Sequence, residues 1–383
     1  MIKIFIPKTV VGGPDFKSGD NGRPPWLVSP PASDNFKCIL LIKIFFTIFF
    51  LFSTSAGRAQ PVPFIRGQKR FSFTEAKMGA PFTIVFYTDD TLQANHLAKE
   101  CFKLVDSFVF IFSDYIDSSE LCKLSATAGS NSSVNLSPAM FDILVQSKKA
   151  FNKSEGAFDI TIGPLSKIWR KSRKEKQFPA GENIKTAKKS IGFDKLLLDT
   201  QNKKATLTHP GMQLDLGGIA QGYIAQKIID FLASQQIRHA LVNVSGDIAA
   251  SKAPPGLKGW TVGINIPESA YTLLPRTLLM QNKAVTTSGD VYQFTEHKGK
   301  RYSHIIDPRT GYGITNQRNV TAIANDGTTA DWLATACSIL SVKKAKRLAA
   351  QLGAEILIAE IKKGKLIFYS TKGFTKYWKQ ATK

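Results

Sequence analysis

Three stretches of this chain carry residues suited to chemistry. In "ADWLATA" (330–336) Asp331 and Thr335 stand four residues apart, so on a helix they face the same way. A carboxylate and a hydroxyl offer two hard oxygen ligands with a single negative charge. That set suits Mg2+, which keeps several waters and shares the phosphate oxygens of its substrate. The same residues also fit an ordinary helix start, with Thr328 or Thr329 as cap and Asp331 in the first turn, facing the dipole. In "LDLGGIAQGYIAQ" (214–226) an apolar run reads as a buried strand, ends at Asp215, breaks at Gly217 and Gly218, and passes into a helix. The glycines permit close backbone approach. The helix start directs free N–H groups and its positive dipole end at the turn, a natural place for a phosphate. The spacing is neither G-x-G-x-x-G nor a Walker loop, and such a junction also serves plain packing. In "TTSGDVYQFTEHKGKRYSHIIDPRTGYGI" (286–314), Ser288, Gly289 and Asp290 break a strand. His304 follows an exposed hairpin and precedes the D-P-R-T-G turn. It can accept a proton or donate to a ligand oxygen, and it can equally be a structural histidine.

The elements that must position these residues follow from periodicity. "PFTIVFYT" (81–88) has strand character, whereas residues 60–80 read as an extended lead-in. Residues 91–112 repeat apolar side chains near a 3.6-residue period and predict a helix. A polar loop (113–125) ends in a short helix, and a second helix spans 138–153 with Ser137 as its cap before Pro138. Residues 154–169 pass from loop to a short apolar run, and 170–192 form an exposed, Lys-rich insert. Short strands are predicted near 195–199 and 204–208, a helix after the Gly-Gly turn through about Gln235, and a strand, a Gly-Asp break and another strand over 239–251. A β-rich stretch follows, then helices at 328–340 and 342–352 and strands at 354–360 and 366–370. Strands and helices do not alternate regularly, so the fold class is α+β rather than doubly wound.

The chain has 383 residues, 43% of them hydrophobic, enough for one large domain or two ordinary ones. Its net charge of +22 favours anionic partners, or else marks a lysine-rich solvated surface. No basic ladder interleaved with aromatics is present, which argues against nucleic acid and against a polyanion-binding module. The four cysteines, Cys38, Cys101, Cys122 and Cys337, make no C-x-x-C, which excludes a zinc ribbon or a thioredoxin-type motif. Cys101–Cys122 is a candidate disulfide; free buried thiols are the default.

Residues 39–52, "ILLIKIFFTIFFLF", follow Lys37 and precede the small-residue run "STSAGRAQP". This is the pattern of a secretory signal peptide, cleaved after Ala56 or Ala59; the stretch is short for a transmembrane anchor. No cysteine follows the apolar core, so there is no lipoprotein signature. We therefore expect residues 1–59 to be an N-terminal extension with a signal peptide and 60–383 to be a single domain. The expected location is exported: periplasmic, or membrane-associated and facing the periplasm if the leader stays uncleaved.

Taken together and in order, these stretches resemble the ApbE family of FAD:protein FMN transferases. "MGAPFTIVFY" (78–87) is similar to the family's opening M-G-T strand, "FSDYIDSSELCKLS" (112–125) to its M-S-x-Y-x-x-x-S-E-L segment, and "GAFDITIGPLSKIW" (156–169) to its F-D-x-T-x-G-P-L-x-x-L-W run. "DLGGIAQGY", "NVSGDI", "AVTTSGD", "YSHIIDPRTG" and "ADWLATA" match the rest, so the resemblance covers about residues 65–370. It implies an ApbE-like fold, mixed or antiparallel sheets flanked by helices, with an FAD cleft between the two halves. It also implies a reaction: FAD is cut at its pyrophosphate, and FMN is joined to a Thr or Ser hydroxyl of an acceptor flavoprotein, releasing AMP. The acceptor would carry an S/T-G-A-T-like motif and belong to an envelope electron-transport complex. Carried over by the resemblance, Asp331, Thr335 and the Gly218 carbonyl would bind Mg2+. Met78, Tyr115, Ala157, Phe158, Asp159, Asp215, Gln221 and Ile306 would contact FAD. His304 and Asp290 are the candidates for activating the acceptor hydroxyl. Two positions depart from the family pattern: Gln221 stands where Lys is frequent, and Ser245 where Gly is usual. The alternatives are an FAD pyrophosphate hydrolase, yielding FMN and AMP, and a non-catalytic flavin-binding protein of the envelope.

Overall fold

The run "PFTIVFY" forms a central strand because both of its faces are covered. Phe82, Ile84 and Phe86 enter one apolar core while Val85 enters a second on the opposite face, the arrangement in which a strand reads as continuously apolar. The computed structural model describes residues 67–266, 273–289 and 293–379. The predicted leader and Asp290 lie outside the described residues. All the described residues belong to one compact unit.

The chain opens with β1 (Lys69–Lys77) and β2 (Ala80–Thr88), followed by α1 (Thr91–Phe112), α2 (Glu120–Ala126), β3 (Val134–Asn135), α3 (Pro138–Lys153), α4 (Gly163–Glu175) and α5 (Gly181–Lys189). Next come β4 (Leu196–Asp199), β5 (Lys204–Leu207), α6 (Ala220–Ser234), β6 (Ala240–Val244), β7 (Asp247–Ala250), β8 (Trp260–Asn265) and β9 (Leu273–Met280). The last part holds β10 (Lys283–Gly289), β11 (Phe294–His297), β12 (Lys300–Ser303), β13 (Gln317–Ala324), α7 (Gly327–Ile339), α8 (Val342–Gln351), β14 (Glu355–Lys362) and β15 (Lys365–Ser370). The main sheet runs in the order β1-β2-β6-β7-β10-β13-β14-β15, and every neighbouring pair in it is antiparallel. The fold is therefore α+β, as expected.

One face of this sheet carries α1, α6 and α7, whose buried residues join Phe82, Ile84 and Phe86 in the larger core. The other face is covered by the β8–β9 ribbon through Trp260, Val262, Leu278 and Met280, and by Phe374. A third cluster, Leu165, Trp169, Ile184 and Ile306, joins α4, α5 and the segment after β12. The caps on α1 and α3 explain why both helices begin where the sequence predicts. Asp90 accepts from the N–H groups of Leu92 and Gln93, and Ser137 accepts from that of Met140 ahead of Pro138.

The structure corrects several expectations. The lead-in contains a paired strand, β1. The short apolar run ending at Trp169 is the first part of α4, which continues into the stretch expected to be an exposed insert. Leu165, Trp169 and Ser172 are buried at helical spacing while the lysines face outward. Residues 214–216 are not a strand; that segment is held by a lone parallel bridge between Ile162 and Gln213 and by the Asp215 N–H to Ile160 O bond of 2.8 Å. Asp326, not Thr328 or Thr329, caps α7, accepting from the Thr329 N–H at 2.8 Å, so Asp331 lies beyond the first turn. Cys101, Cys122 and Cys337 are all free thiols.

Candidate functional site

The site grows from a helix pair. α6 starts at Ile219 without a side-chain cap, so its first N–H groups need acceptors from elsewhere. The Gly222 N–H donates to Asp331 Oδ2 of α7 at 2.9 Å, a contact between residues 109 apart in the chain. The helices approach this closely because two glycines meet there. A Cβ on Gly222 would sit 2.1 Å from the Gly327 carbonyl oxygen and 2.6 Å from Asp331 Cβ. Asp331 is thereby buried, 4% exposed, at the junction. One helical turn further on, Thr335 meets Gly218: a Cβ added there would lie 3.2 Å from Thr335 Oγ1 and 3.2 Å from Phe158 Cε2. Gly218, Asp331, Thr335 and Phe158 therefore converge on one place.

The donors at this junction are a carboxylate, a hydroxyl and a backbone close enough to the hydroxyl that a methyl group would crowd it. No group of three or more His, Cys, Asp or Glu side chains that could hold a metal exists among the described residues. One carboxylate, one hydroxyl and a backbone carbonyl are hard oxygen donors, the chemistry of a cation that takes one carboxylate, keeps waters and shares substrate oxygens, as Mg2+ does.

The 157–163 segment reaches the same place beside 212–215. Gly163 allows this, since a Cβ there would be 2.4 Å from the Gln213 carbonyl oxygen. Ala157, Phe158 and Asp159 are all buried, and the Phe158 ring lies 6.2 Å from that of Trp332. Asp159 Oδ1 accepts from the Thr161 N–H at 2.8 Å and from Thr161 Oγ1 at 2.7 Å. Burial nonetheless raises the Asp159 pKa above the ordinary carboxylate range.

A second cluster sits at the other end of the Asp215–Gly218 turn. Asp215 divides its oxygens: Oδ1 accepts from the Gly217 N–H at 2.8 Å, and Oδ2 pairs with Arg170 Nη2 at 2.9 Å. Arg170 Nη1 pairs at the same time with Asp114, and its guanidinium lies 4.5 Å from the centroid of the exposed Tyr115 ring. Burial, then the neighbouring charge of Asp215, raise the Asp114 pKa, with Arg170 acting in the opposite sense. Sequence reasoning missed Arg170 and Asp114. The available signal was the helical period of α4, which places Arg170 beside the buried Trp169 rather than in a solvated insert.

The remaining sequence-matched residues stand on other elements. Ile306 is buried against Leu165, Trp169 and Ile184, and it bridges Gly313, so the segment after β12 is anchored on α4 and α5. The Trp169 Nε1–H adds a bond to the Gly311 carbonyl at 2.9 Å. His304 is half-buried; its N–H donates to the Gln293 carbonyl at 2.9 Å, and its Nδ1 lies 3.2 Å from the same oxygen. A carbonyl only accepts, so the contact is a hydrogen bond in the tautomer whose Nδ1 carries the hydrogen. Met78 occupies the β1–β2 turn at φ 55°, left-handed backbone that a non-glycine residue rarely adopts. Gln221 is half-buried in the first turn of α6. Asp290 falls outside the described residues.

Comparison with known proteins matches residues 78–358 to the ApbE family. A "FAD:protein FMN transferase" of Klebsiella pneumoniae is 31% identical over 275 residues, covering 72% of this chain and 84% of the relative. One of the same name from Treponema pallidum is 31% identical over 292 residues, covering 72% and 80%. The apo structure of the Pseudomonas stutzeri flavinyl transferase ApbE superposes with a TM-score of 0.73 at 25% identity, covering 83% of this chain and 99% of that one. The ApbE protein of Thermotoga maritima gives a TM-score of 0.73 at 25% identity, covering 82% and 100%.

Proposed function

Because this chain belongs to the ApbE family, we propose that it is an FAD:protein FMN transferase, like the curated relatives it matches. An acceptor Thr or Ser hydroxyl attacks the phosphorus of the FMN half. A new P–O bond forms, the bridging P–O bond breaks, and AMP departs with the bridging oxygen. The hydroxyl proton passes to a base. The observation that carries this reading is the convergence of Gly218, Asp331, Thr335 and Phe158 on one end of a turn whose other end is Asp215.

Phosphoryl transfer asks the protein mainly for positioning and charge stabilisation. Asp331, Thr335 and the Gly218 carbonyl would hold Mg2+, which when bound neutralises charge developing on the pyrophosphate oxygens. Gly217 and Gly218 leave the backbone open to close approach, and the α6 N-terminus faces the phosphate-bearing part of the ligand. Met78, Tyr115, Ala157, Phe158, Asp159, Asp215, Gln221 and Ile306 are the proposed FAD contacts. His304 is the proposed base: with Nδ1–H committed to the Gln293 carbonyl, Nε2 takes the acceptor's proton. Asp290 is proposed to assist it. The acceptor is proposed to carry an S/T-G-A-T-like motif and to belong to an envelope electron-transport complex. The enzyme itself is proposed to be exported through its leader.

Incubation with FAD and Mg2+ tests the reading. AMP release with flavin fluorescence on an added acceptor in a denaturing gel supports a transferase. AMP with unlabelled acceptor points to the hydrolase, and FAD binding without AMP to a carrier. Loss of turnover with chelator checks the metal. His304→Ala should lower transfer while FAD binding persists; equal loss of both removes His304 from the base role. N-terminal sequencing of exported protein tests cleavage after Ala56 or Ala59.

A further inference from the structure

We propose that Arg170 is a positioning residue of the flavin-nucleotide site, acting through Asp215 on the Gly217–Gly218 turn. This inference rests on the transferase reading. Arg170 is the one side chain in ion-pair contact with both Asp114 and Asp215 among the described residues. Each oxygen of Asp215 then has one task. Oδ2 is held by the guanidinium, which orients Oδ1 toward the Gly217 N–H, and that bond shapes the turn presenting Gly218 to Thr335. The guanidinium also lies on the ring of Tyr115, a second proposed FAD contact, so one side chain orders three groups of the site.

Charge gives Arg170 a second effect. Asp114 and Asp215 place two carboxylates at the edge of a site meant for a pyrophosphate. Arg170 offsets these carboxylates directly, with Arg173 a second cation near Arg170 and Tyr115; without Arg170 the cluster is more negative and an incoming polyanion is repelled more strongly. Lys can replace this function only in part: it keeps the charge, but an ammonium lacks the planar fork that reaches two carboxylates while stacking on a ring.

The test uses the full chain and reads FAD binding by flavin fluorescence in parallel with AMP release. Arg170→Gln should raise the FAD Kd about tenfold or more, the size of one lost charge-assisted hydrogen bond. KM for FAD should rise in step, and half-saturation by Mg2+ should move upward as the turn relaxes. Arg170→Lys should fall between wild type and Gln. Combining Arg170→Gln with Asp114→Asn removes the repelling carboxylate and should recover most of the lost FAD affinity. A merely structural arginine would show a lower melting temperature with no recovery by Asp114→Asn. Wild-type FAD affinity in Arg170→Gln, or no recovery in the double variant, overturns the inference and leaves the transferase reading standing. Failure of the wild-type chain to bind FAD overturns both.

Discussion

Gly218→Ala isolates the proposed metal-binding corner from the stability of the helix pair. The added Cβ would meet Thr335 Oγ1 and Phe158 Cε2 at 3.2 Å and Thr335 Cγ2 at 3.3 Å. Carbon contacts are comfortable at about 3.5–4.0 Å, so a few tenths of an ångström must be yielded. Phe158 is buried and packed toward Trp332, whereas Thr335 is half-buried, so the threonine side chain gives way. The stability cost is about 1 kcal/mol, the low end for one excess methyl group in a packed site, or about 2 °C in Tm for a domain of this size. Mg2+ demands near-ideal octahedral geometry at about 2.0–2.1 Å, so the same shift of Thr335 Oγ1 should matter far more to the metal. Half-saturating Mg2+ should rise about tenfold, about 1.4 kcal/mol. The assay is AMP release from FAD over a Mg2+ titration beside a thermal melt. Gly222→Ala is the comparator: its Cβ would stand 2.1 Å from a carbonyl oxygen, so α6 and α7 must part by more than about 1 Å and the Gly222–Asp331 bond is lost. That should cost about 3 kcal/mol or more. If Gly218→Ala leaves the Mg2+ dependence unchanged, Gly218 and Thr335 do not share a metal.

Three other outcomes follow from individual residues. Ser245 sits at φ 53° in the β6–β7 turn, and among the described residues its buried Oγ has no hydrogen-bond partner. Ser245→Gly should therefore stabilise by about 1 kcal/mol, read as a rise in Tm, because relief of the left-handed strain and the orphan hydroxyl exceeds glycine's entropy cost; a fall in Tm refutes this. Asp159 has its folded-state pKa raised by burial, so the native state binds the proton more tightly and stability falls as pH rises through the window above the unfolded value. Asp159→Asn, whose Oδ1 can still accept from Thr161, should be more stable than wild type at neutral pH in urea melts. The gap should close toward about pH 3, below the unfolded carboxylate pKa; a gap that widens on acidification would contradict the burial account. Gln221→Lys puts a cation in the first turn of α6, and should tighten FAD binding several-fold at low salt, an advantage that fades at high ionic strength. Salt-independent affinity would mean that residue 221 does not face the phosphates.

The parts of the fold that were legible are those whose causes are local. Ser137 before Pro138 announces α3, and the 3.6-residue repeat from Ala94 to Phe108 announces α1; both causes lie within a few residues of their effects. α4 was misread because its apolar positions, Leu165 and Trp169, are few and are diluted by a run of lysines and arginines. The partners that bury them, Ile184 and Ile306, arrive from α5 and from beyond β12. The apolar run at Leu214 looked like a strand for the converse reason. Its burial is real, yet beyond the Ile162–Gln213 bridge it has no strand beside it to pair with.

The site divides along the same line. Residue type and order pointed to Gly218, Asp331 and Thr335, and the structure brings them together. Spacing within α7 leaves open whether Asp331 faces the dipole of its own helix or a ligand, and the structure adds a contact that neither reading contains. Asp331 caps α6, from 109 residues away, through Gly222. That contact anchors the buried carboxylate on a backbone donor at a helix N-terminus, whose dipole suits an acidic side chain. It also ties the separation of α6 and α7 to the geometry of the site, since Gly218 and Gly222 lie on one side of the junction and Asp331 and Thr335 on the other. A substitution that widens the helix pair must therefore move the donors apart even when it touches none of them. Gly327, whose Cβ would stand 2.2 Å from the Gly222 carbonyl oxygen, is such a position. Gly327→Ala should raise half-saturating Mg2+ as well as lower Tm; a variant with lowered Tm but wild-type Mg2+ dependence at a permissive temperature would uncouple packing from the site.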